Sequence, residues 1–193
     1  DGIYTHFPAA ERYPDPLGEK QLSDFEKLIQ DLRRKRISFP LRHAANSVGI
    51  ANYRASHFNL VRPGLMLYGL YPSPLLRRKV HLKPVLFWRA RVILFKELAA
   101  GESTGYHRAF KAKEKTTLAI VPVGYSHGYP FGLSDKGIVL IRGRRYPVVG
   151  RVSMDYLAVD LGARHPDIKI GESVTLLGRD GPEDVTAEAR DDP

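Results

Sequence analysis

Between Leu41 and Tyr71 the chain reads LRHAANSVGIANYRASHFNLVRPGLMLYGLY, and this stretch concentrates groups that can hold a phosphorylated, ring-shaped molecule. Asn46 and Ser47 open one helix-like run, and Arg62-Pro63-Gly64 opens another. Free N–H groups and the positive dipole end at a helix start attract anions. Ser47 with the amides of Gly64 and Leu65 could therefore grip one phosphate from two sides. The same residues also fit a plain helix cap and a turn. Arg62 is always charged, so a buried copy needs a partner or an acceptor. A heteroaromatic nitrogen would serve, with His43 orienting the guanidinium, and so would an ordinary salt bridge. His6, at the end of GIYTHF, either faces the same pocket or is a satisfied structural histidine.

Further on, the polar or glycine-flanked breaks in apolar runs are Tyr106 in STGYHR, Tyr125 in VGYSHGYP, and Met154-Asp155 in GRVSMD. A tyrosine acts as a general base only when charge or hydrogen bonding lowers its pKa from about 10. Tyr106 would need a cationic neighbour; otherwise it is an amphipathic packing residue. The histidines do not have zinc spacing, and no metal is expected.

These groups need elements to position them. GIYTHF (2–7) reads as a short buried strand, followed by a Pro-rich loop from Pro8 to Gly18. Leu22, Phe25, Leu28, Ile29 and Leu32 recur at three- and four-residue steps, which predicts an amphipathic helix over Gln21–Arg36. A strand at Ile37–Arg42 follows, then a helix capped by Asn46 or Ser47 and ending near Ala55. A strand at Phe58–Val61 and a brief helical piece at Gly64–Gly69 complete the region. Strands alternating with helices indicate parallel β/α units, and in such folds chemistry gathers at the carboxyl ends of strands. His6, His43 and Arg62 fall there. Three strands cannot close an eight-stranded barrel, so the sequence is expected to begin partway through a domain.

The linker YPSPLLRRKVHLKP, which runs from Tyr71 and includes 72–84, ends this character. Residues 85–98, 116–124, 137–141, 146–152, 156–161 and 173–177 are β-rich, and the RGRR turn joins two of them as a hairpin. A helix start is expected at Asp184 or Thr186. The reading is an α/β region (1–84) followed by an all-β region (85–193), the latter a small barrel truncated at its end.

With 193 residues, 43% of them hydrophobic, the chain can bury a sizeable core. No apolar run reaches the length of a membrane span, and the start DGIYTHFPAAER has no secretion-signal pattern. The absence of cysteine suits a reducing cytoplasm. A net charge of +9 attracts phosphates. Its clusters, Arg33–Arg36, Arg77–Lys79 and Arg142–Arg145, nevertheless fit a helix end, a linker and a turn. No nucleic-acid motif accompanies them, and nucleic acid is not expected as a partner.

In order, GIYTHF, HAANS, NLVRPGLMLYGLYPSP, the Gly105-Tyr106 pair, VPVGY and VGRVSMD resemble the later part of alanine racemase, from Gly2 to about Thr186. The resemblance implies the last β/α units of a TIM-type barrel followed by a carboxyl-terminal β-barrel-like domain. It further implies a pyridoxal 5′-phosphate-dependent isomerase that makes D-alanine, a peptidoglycan precursor, and works as a homodimer with shared active sites on a small amino-acid substrate. His6 would lie beside the pyridine ring. Arg62, braced by His43, would bond the ring nitrogen, and Ser47, Gly64 and Leu65 would bind phosphate. Tyr106 would be the catalytic base, Met154 would help bind the substrate carboxylate, and Tyr125 would line the entrance. Arginine holds its protons too firmly to give one to the ring, which leaves a weaker electron sink and favours direct return of the α-proton over transamination.

There are departures from the family pattern. No lysine here stands in the motif that carries the cofactor covalently, so this chain alone is expected to be inactive. The arginine at the ring hydroxyl and a late tyrosine at the phosphate are also missing. Ser126-His127 replaces Ala-Asp, and His107 replaces a small residue. The other readings are racemisation of another small amino acid such as serine, and a non-catalytic basic binding module.

Overall fold

The computed structural model describes residues 1–163 and 167–188. They group into two compact units, residues 1–85 and 86–193, a mixed α/β unit and a mostly antiparallel β unit.

In the first unit β1 (Gly2–Tyr4) pairs in parallel with β2 (Leu41–His43), placing Ile3 opposite Arg42 and Tyr4 opposite His43. β1 is shorter than expected and largely exposed rather than buried. It stops at Tyr4 because side chains take the next three carbonyls. Arg62 donates to Thr5 O, Gln21 to His6 O and Asn46 to Phe7 O, leaving no ladder to extend. Helix α1 covers Pro16–Arg34 and starts five residues earlier than periodicity predicts. Asp15 caps it by accepting from Leu17 N and Gly18 N, and Pro16 fits the first turn, where no N–H is needed. Helix α2 spans Ser47–Asn52, with Asn46 as its cap.

Two expectations fail here. Residues 37–40 and 58–61 are not strands: Asn59 accepts from Arg42 N and donates to Pro40 O, and only a lone bridge links Asn46 to Arg62. This local side-chain bonding replaces the ladder. The presumed linker also belongs to this unit. Pro74–Arg78 form a 3-10 turn whose Leu76 is buried with Phe7, Phe25, Ile29, Val48 and Tyr53. Gly69 (φ +73°) closes the turn before it, and a Cβ there would lie 1.9 Å from Lys83 O, so only glycine fits.

The second unit contains β3 (Trp88–Arg91), β4 (Leu94–Leu98), β5 (Ser103–Thr104), β6 (Phe110–Lys111), β7 (Thr116–Val121), β8 (Ile138–Ile141), β9 (Arg144–Val149), β10 (Leu157–Asp160), β11 (Ser173–Asp180) and β12 (Glu183–Val185). β5 and β6 form their own hairpin; the others form one sheet in the order β12-β11-β8-β9-β10-β7-β4, with β3 on β11. Every pairing in that sheet is antiparallel. The apolar run expected as one strand is thus two, parted only by Val92 and Ile93. Val92 N bonds Glu172 O and Ile93 N bonds Ile120 O. One continuous stretch therefore pairs with β11 on one side and β7 on the other, and the hydrogen-bonded path returns on itself. Val121, Val139, Ile141, Val148, Leu157, Val159, Val174 and Leu176 pack together in the core of this unit.

The β8–β9 turn is Arg142-Gly143, both at positive φ. Two positive-φ residues match a two-residue hairpin loop whose twist suits its strands. The helix expected from Asp184 is instead strand β12, because Gly181-Pro182 turns the chain back onto β11. Expectations for residues 189–193 lie outside the described residues.

Leu140 of β8 is fully buried, whereas Leu94 of β4 is 54% exposed. Leu140→Ala should destabilise the second unit by about 2–5 kcal/mol through lost burial and a residual cavity, and Leu94→Ala by under about 1 kcal/mol. Urea unfolding followed by the fluorescence of Trp88, the single tryptophan, measures both; equal costs would contradict this packing.

Candidate functional site

Arg62 is the hub of the first unit. Its Nη1 lies 2.7 Å from His43 Nδ1, and its Nη2 lies 3.1 Å from Thr5 O, 3.2 Å from Ala44 O and 3.3 Å from His6 Nδ1. Its backbone N donates to Ala45 O. The carbonyls beyond β1 and β2 thus converge on one cation, placing His6, His43 and Arg62 in one cluster. A guanidinium has donors only, so Nδ1 of His43 must accept and its proton belongs on Nε2. Tyr4, which sequence reasoning passed over, stacks on His43 with ring centroids 5.3 Å apart and planes 5° from parallel. Its ring centroid lies 5.3 Å from Arg62 Cζ.

Ser47 is buried, and its Oγ accepts from Gly64 N at 2.8 Å. Gly64 N–H is therefore directed at the serine, while the Ser47 O–H is left to donate. Leu65 opens the 3-10 turn Leu65–Tyr68, whose first bond runs from Leu67 N to Gly64 O. The Leu65 N–H precedes that bond. Asn46 is a cap: its Oδ1 accepts from Gly49 N at 2.9 Å.

These residues fit a phosphorylated pyridine. A fixed guanidinium suits a ring nitrogen that accepts without taking the proton, and a buried serine hydroxyl beside a leading turn amide suits a phosphate.

The second unit gathers the other residues. Tyr106 rides the tip of the β5–β6 hairpin, bent by two consecutive left-handed residues, His107 (φ 59°) and Arg108 (φ 53°). It borders a concavity of about 400 Å³ together with Arg151, Ser153 and Tyr156, over an apolar floor that includes Ile120 and Leu157. Sequence reasoning did not single out Arg151 or Tyr156; the available signal was their position inside and just after GRVSMD. Tyr125 and Met154, both partly exposed, sit on two adjoining loops. Tyr125 N donates to Ser153 O, and Ser126 N donates to Met154 O. Gly124 makes this approach possible, since a Cβ there would lie 2.2 Å from Ser153 O and Met154 O. The Ser126-His127 departure has a local use. Ser126 Oγ donates toward Met154 O at 2.8 Å, and His127 Nδ1 accepts from Gly124 N at 3.2 Å.

Among the described residues, no group of three or more His, Cys, Asp or Glu could hold a metal ion. No helix there is long and apolar enough to cross a membrane.

Burial, and secondarily the Arg62 charge, hold His43 below the ordinary histidine value of 6.5. Below that pH the unfolded chain binds the proton more readily than the folded one. The stability this residue contributes is therefore present above about pH 6.5 and is lost as pH falls toward the lower folded value. An NMR titration of the His43 imidazole should give a midpoint below 6.5 that rises in Arg62→Gln; a midpoint at or above 6.5 in the parent chain would contradict the buried, cation-flanked placement of His43.

Comparison with known proteins bears on both units. The family model described as alanine racemase, N-terminal domain, matches residues 1–72, and that described as alanine racemase, C-terminal domain, matches residues 85–192. The alanine racemase of Halothermothrix orenii is 37% identical over 187 residues, covering 97% of this chain and 49% of that protein. That of Nostoc sp. is 42% identical over 187 residues, covering 96% and 48%. The crystal structure of the Bacillus anthracis alanine racemase with bound L-Ala-P superposes with a TM-score of 0.86 at 32% identity, over 96% of this chain and 48% of that one. A Clostridium difficile alanine racemase in complex with cycloserine gives 0.87 at 30% identity, over 97% and 49%. The chain thus spans about half the length of the curated relatives it matches. Matched in sequence along both units and in structure along nearly its whole length, the chain belongs to the alanine racemase family.

Proposed function

We propose that this chain contributes to a pyridoxal 5′-phosphate-dependent alanine racemase that interconverts L- and D-alanine. The observation that carries the reading is the Arg62 clamp: a cation fixed by two main-chain carbonyls and by His43 Nδ1. In this reading the first unit belongs to the last β/α units of a TIM-type barrel and the second is a β-barrel-like domain. The active sites are shared across a homodimer.

When bound, pyridoxal 5′-phosphate supplies an electron sink that acidifies the α-C–H of an amino acid. Arg62 would donate to the pyridine nitrogen and keep its own proton, since a guanidinium does not deprotonate in proteins. His43 holds the guanidinium through Nδ1 at 2.7 Å, and neutral His43 can do so only by accepting. His6, held 3.3 Å from Arg62, would lie beside the ring. The Ser47 hydroxyl and Leu65 N–H would donate to phosphate oxygens, with Gly64 N holding Ser47 Oγ in place at 2.8 Å. Tyr106 takes or returns the α-proton on one face of the substrate. Met154 helps seat the substrate carboxylate, and Tyr125 narrows the approach; the close contact at Gly124 holds their two loops together.

In a racemase that contains this chain, Tyr106→Phe should lower D-alanine formation from L-alanine about 10²- to 10⁴-fold and leave cofactor affinity unchanged. Undiminished turnover in that variant, or serine racemised in preference to alanine, would overturn the assignment. Ser47→Ala should weaken pyridoxal 5′-phosphate binding about tenfold, the loss of one hydrogen bond to a charged group at about 1.5 kcal/mol. Equilibrium titration of cofactor absorbance reads this directly, and unchanged affinity would remove Ser47 from the phosphate site.

A further inference from the structure

Tyr4 ends β1, and its partner across the parallel ladder is His43, which ends β2. Residues directly opposite in a ladder project to the same face, so the two rings meet. They lie 5° from parallel with centroids 5.3 Å apart, an offset stack. The same phenol ring has its centroid 5.3 Å from Arg62 Cζ, close enough for its electron-rich face to attract the cation. Yet Tyr4 is 64% exposed and lies outside the core formed by Phe7, Phe25 and Leu76. Its ring thus touches both members of the clamp while adding little to the packing of the unit.

The clamp depends on where the His43 ring points. Arg62 offers its donors as one rigid planar fork, so the bonds that fix one edge also set the direction of every donor left for a ligand. Three acceptors lie within 3.2 Å of that fork: Thr5 O, Ala44 O and His43 Nδ1. Two are main-chain carbonyls, held by the backbone. The third is on a ring whose χ2 torsion is intrinsically broad, so strand pairing alone does not aim it. We propose that Tyr4 is a positioning residue, whose ring holds the His43 imidazole in the plane from which Nδ1 receives Arg62 and thereby aims the guanidinium. The benefit to a pyridine nitrogen rests on the racemase reading; the restraint on His43 does not.

NMR of the chain with nitrogen-labelled histidine and arginine separates the two. In the parent and in Tyr4→Phe the His43 proton should reside on Nε2, with resolved Arg62 guanidinium signals. Tyr4→Leu keeps apolar bulk but lacks the aromatic face, and opens no core cavity because Tyr4 is exposed. It should give mixed His43 tautomers and averaged Arg62 signals, while His57, whose ring bonds Ile50 O in the same unit, stays as in the parent. In a racemase that contains this chain, Tyr4→Leu should lower kcat about three- to tenfold with KM for alanine unchanged, and Tyr4→Phe should keep the parent kcat. Unchanged His43 and Arg62 signals in Tyr4→Leu, or a Tyr4→Phe variant as impaired as Tyr4→Leu, overturns the proposal. Altered signals with undiminished kcat would uphold the restraint and count against the role assigned to Arg62.

Discussion

A buried or half-buried guanidinium must have its donors met, and this constraint organises the first unit. Arg62 finds acceptors at Thr5 O, Ala44 O and the nitrogens of His43 and His6. These acceptors lie at the ends of two strands and on two rings that are distant in sequence. Removing the cation would leave the carbonyls beyond β1 and β2 without their shared donor, and such orphaned groups cost more than a single contact contributes. The clamp also explains why β1 is short. Its following residues spend their carbonyls on Arg62, Gln21 and Asn46 rather than on a neighbouring strand. The same fixation sets the imidazole tautomer of His43, whose proton affinity is lowered first by burial and second by the Arg62 charge.

In the second unit the organising constraint is different. One run of chain, Trp88–Leu98, serves two neighbours by changing partner at Val92-Ile93. The sheet is held at both sides by one segment, and its apolar faces enclose a common core. Onto that frame two loops are stitched through Gly124, where any side chain would collide with the carbonyls of Ser153 and Met154. Tyr125 and Met154 owe their positions to this backbone contact. Tyr106 is presented separately, by a two-stranded hairpin with a strained tip.

Much of this was legible in the residues. The 3.6-residue periodicity of Leu22, Phe25 and Ile29 marked α1, and the β-rich runs after residue 85 marked strands. Ordered blocks such as HAANS and VGRVSMD marked the family. Other features were not legible, for physical reasons. The start of α1 depends on the Asp15 cap and Pro16 at its first turn, which lie outside the apolar period. Phe58–Val61 has strand-like composition, but Asn59 side-chain bonds take the backbone groups a ladder would need. Leu76 sits in a segment whose prolines and arginines look like a linker, yet its side chain is core. Glu183–Val185 became a strand because a two-residue turn made β11 available to it.

The sequence by itself determined which chemistry was present: a permanent cation at 62, imidazoles at 6 and 43, a hydroxyl at 47 and a phenol at 106. It also determined the local elements wherever apolar period and caps agree, since these act between near neighbours. Only the tertiary structure decided that Arg62 meets Thr5, His6 and His43, that Ser47 rather than open space receives the Gly64 amide, and that Arg151 and Tyr156 share a concavity with Tyr106. Each of these is a contact between residues far apart in the chain. Its geometry is set by strand pairing and by the need to satisfy buried donors, which no short window of sequence encodes.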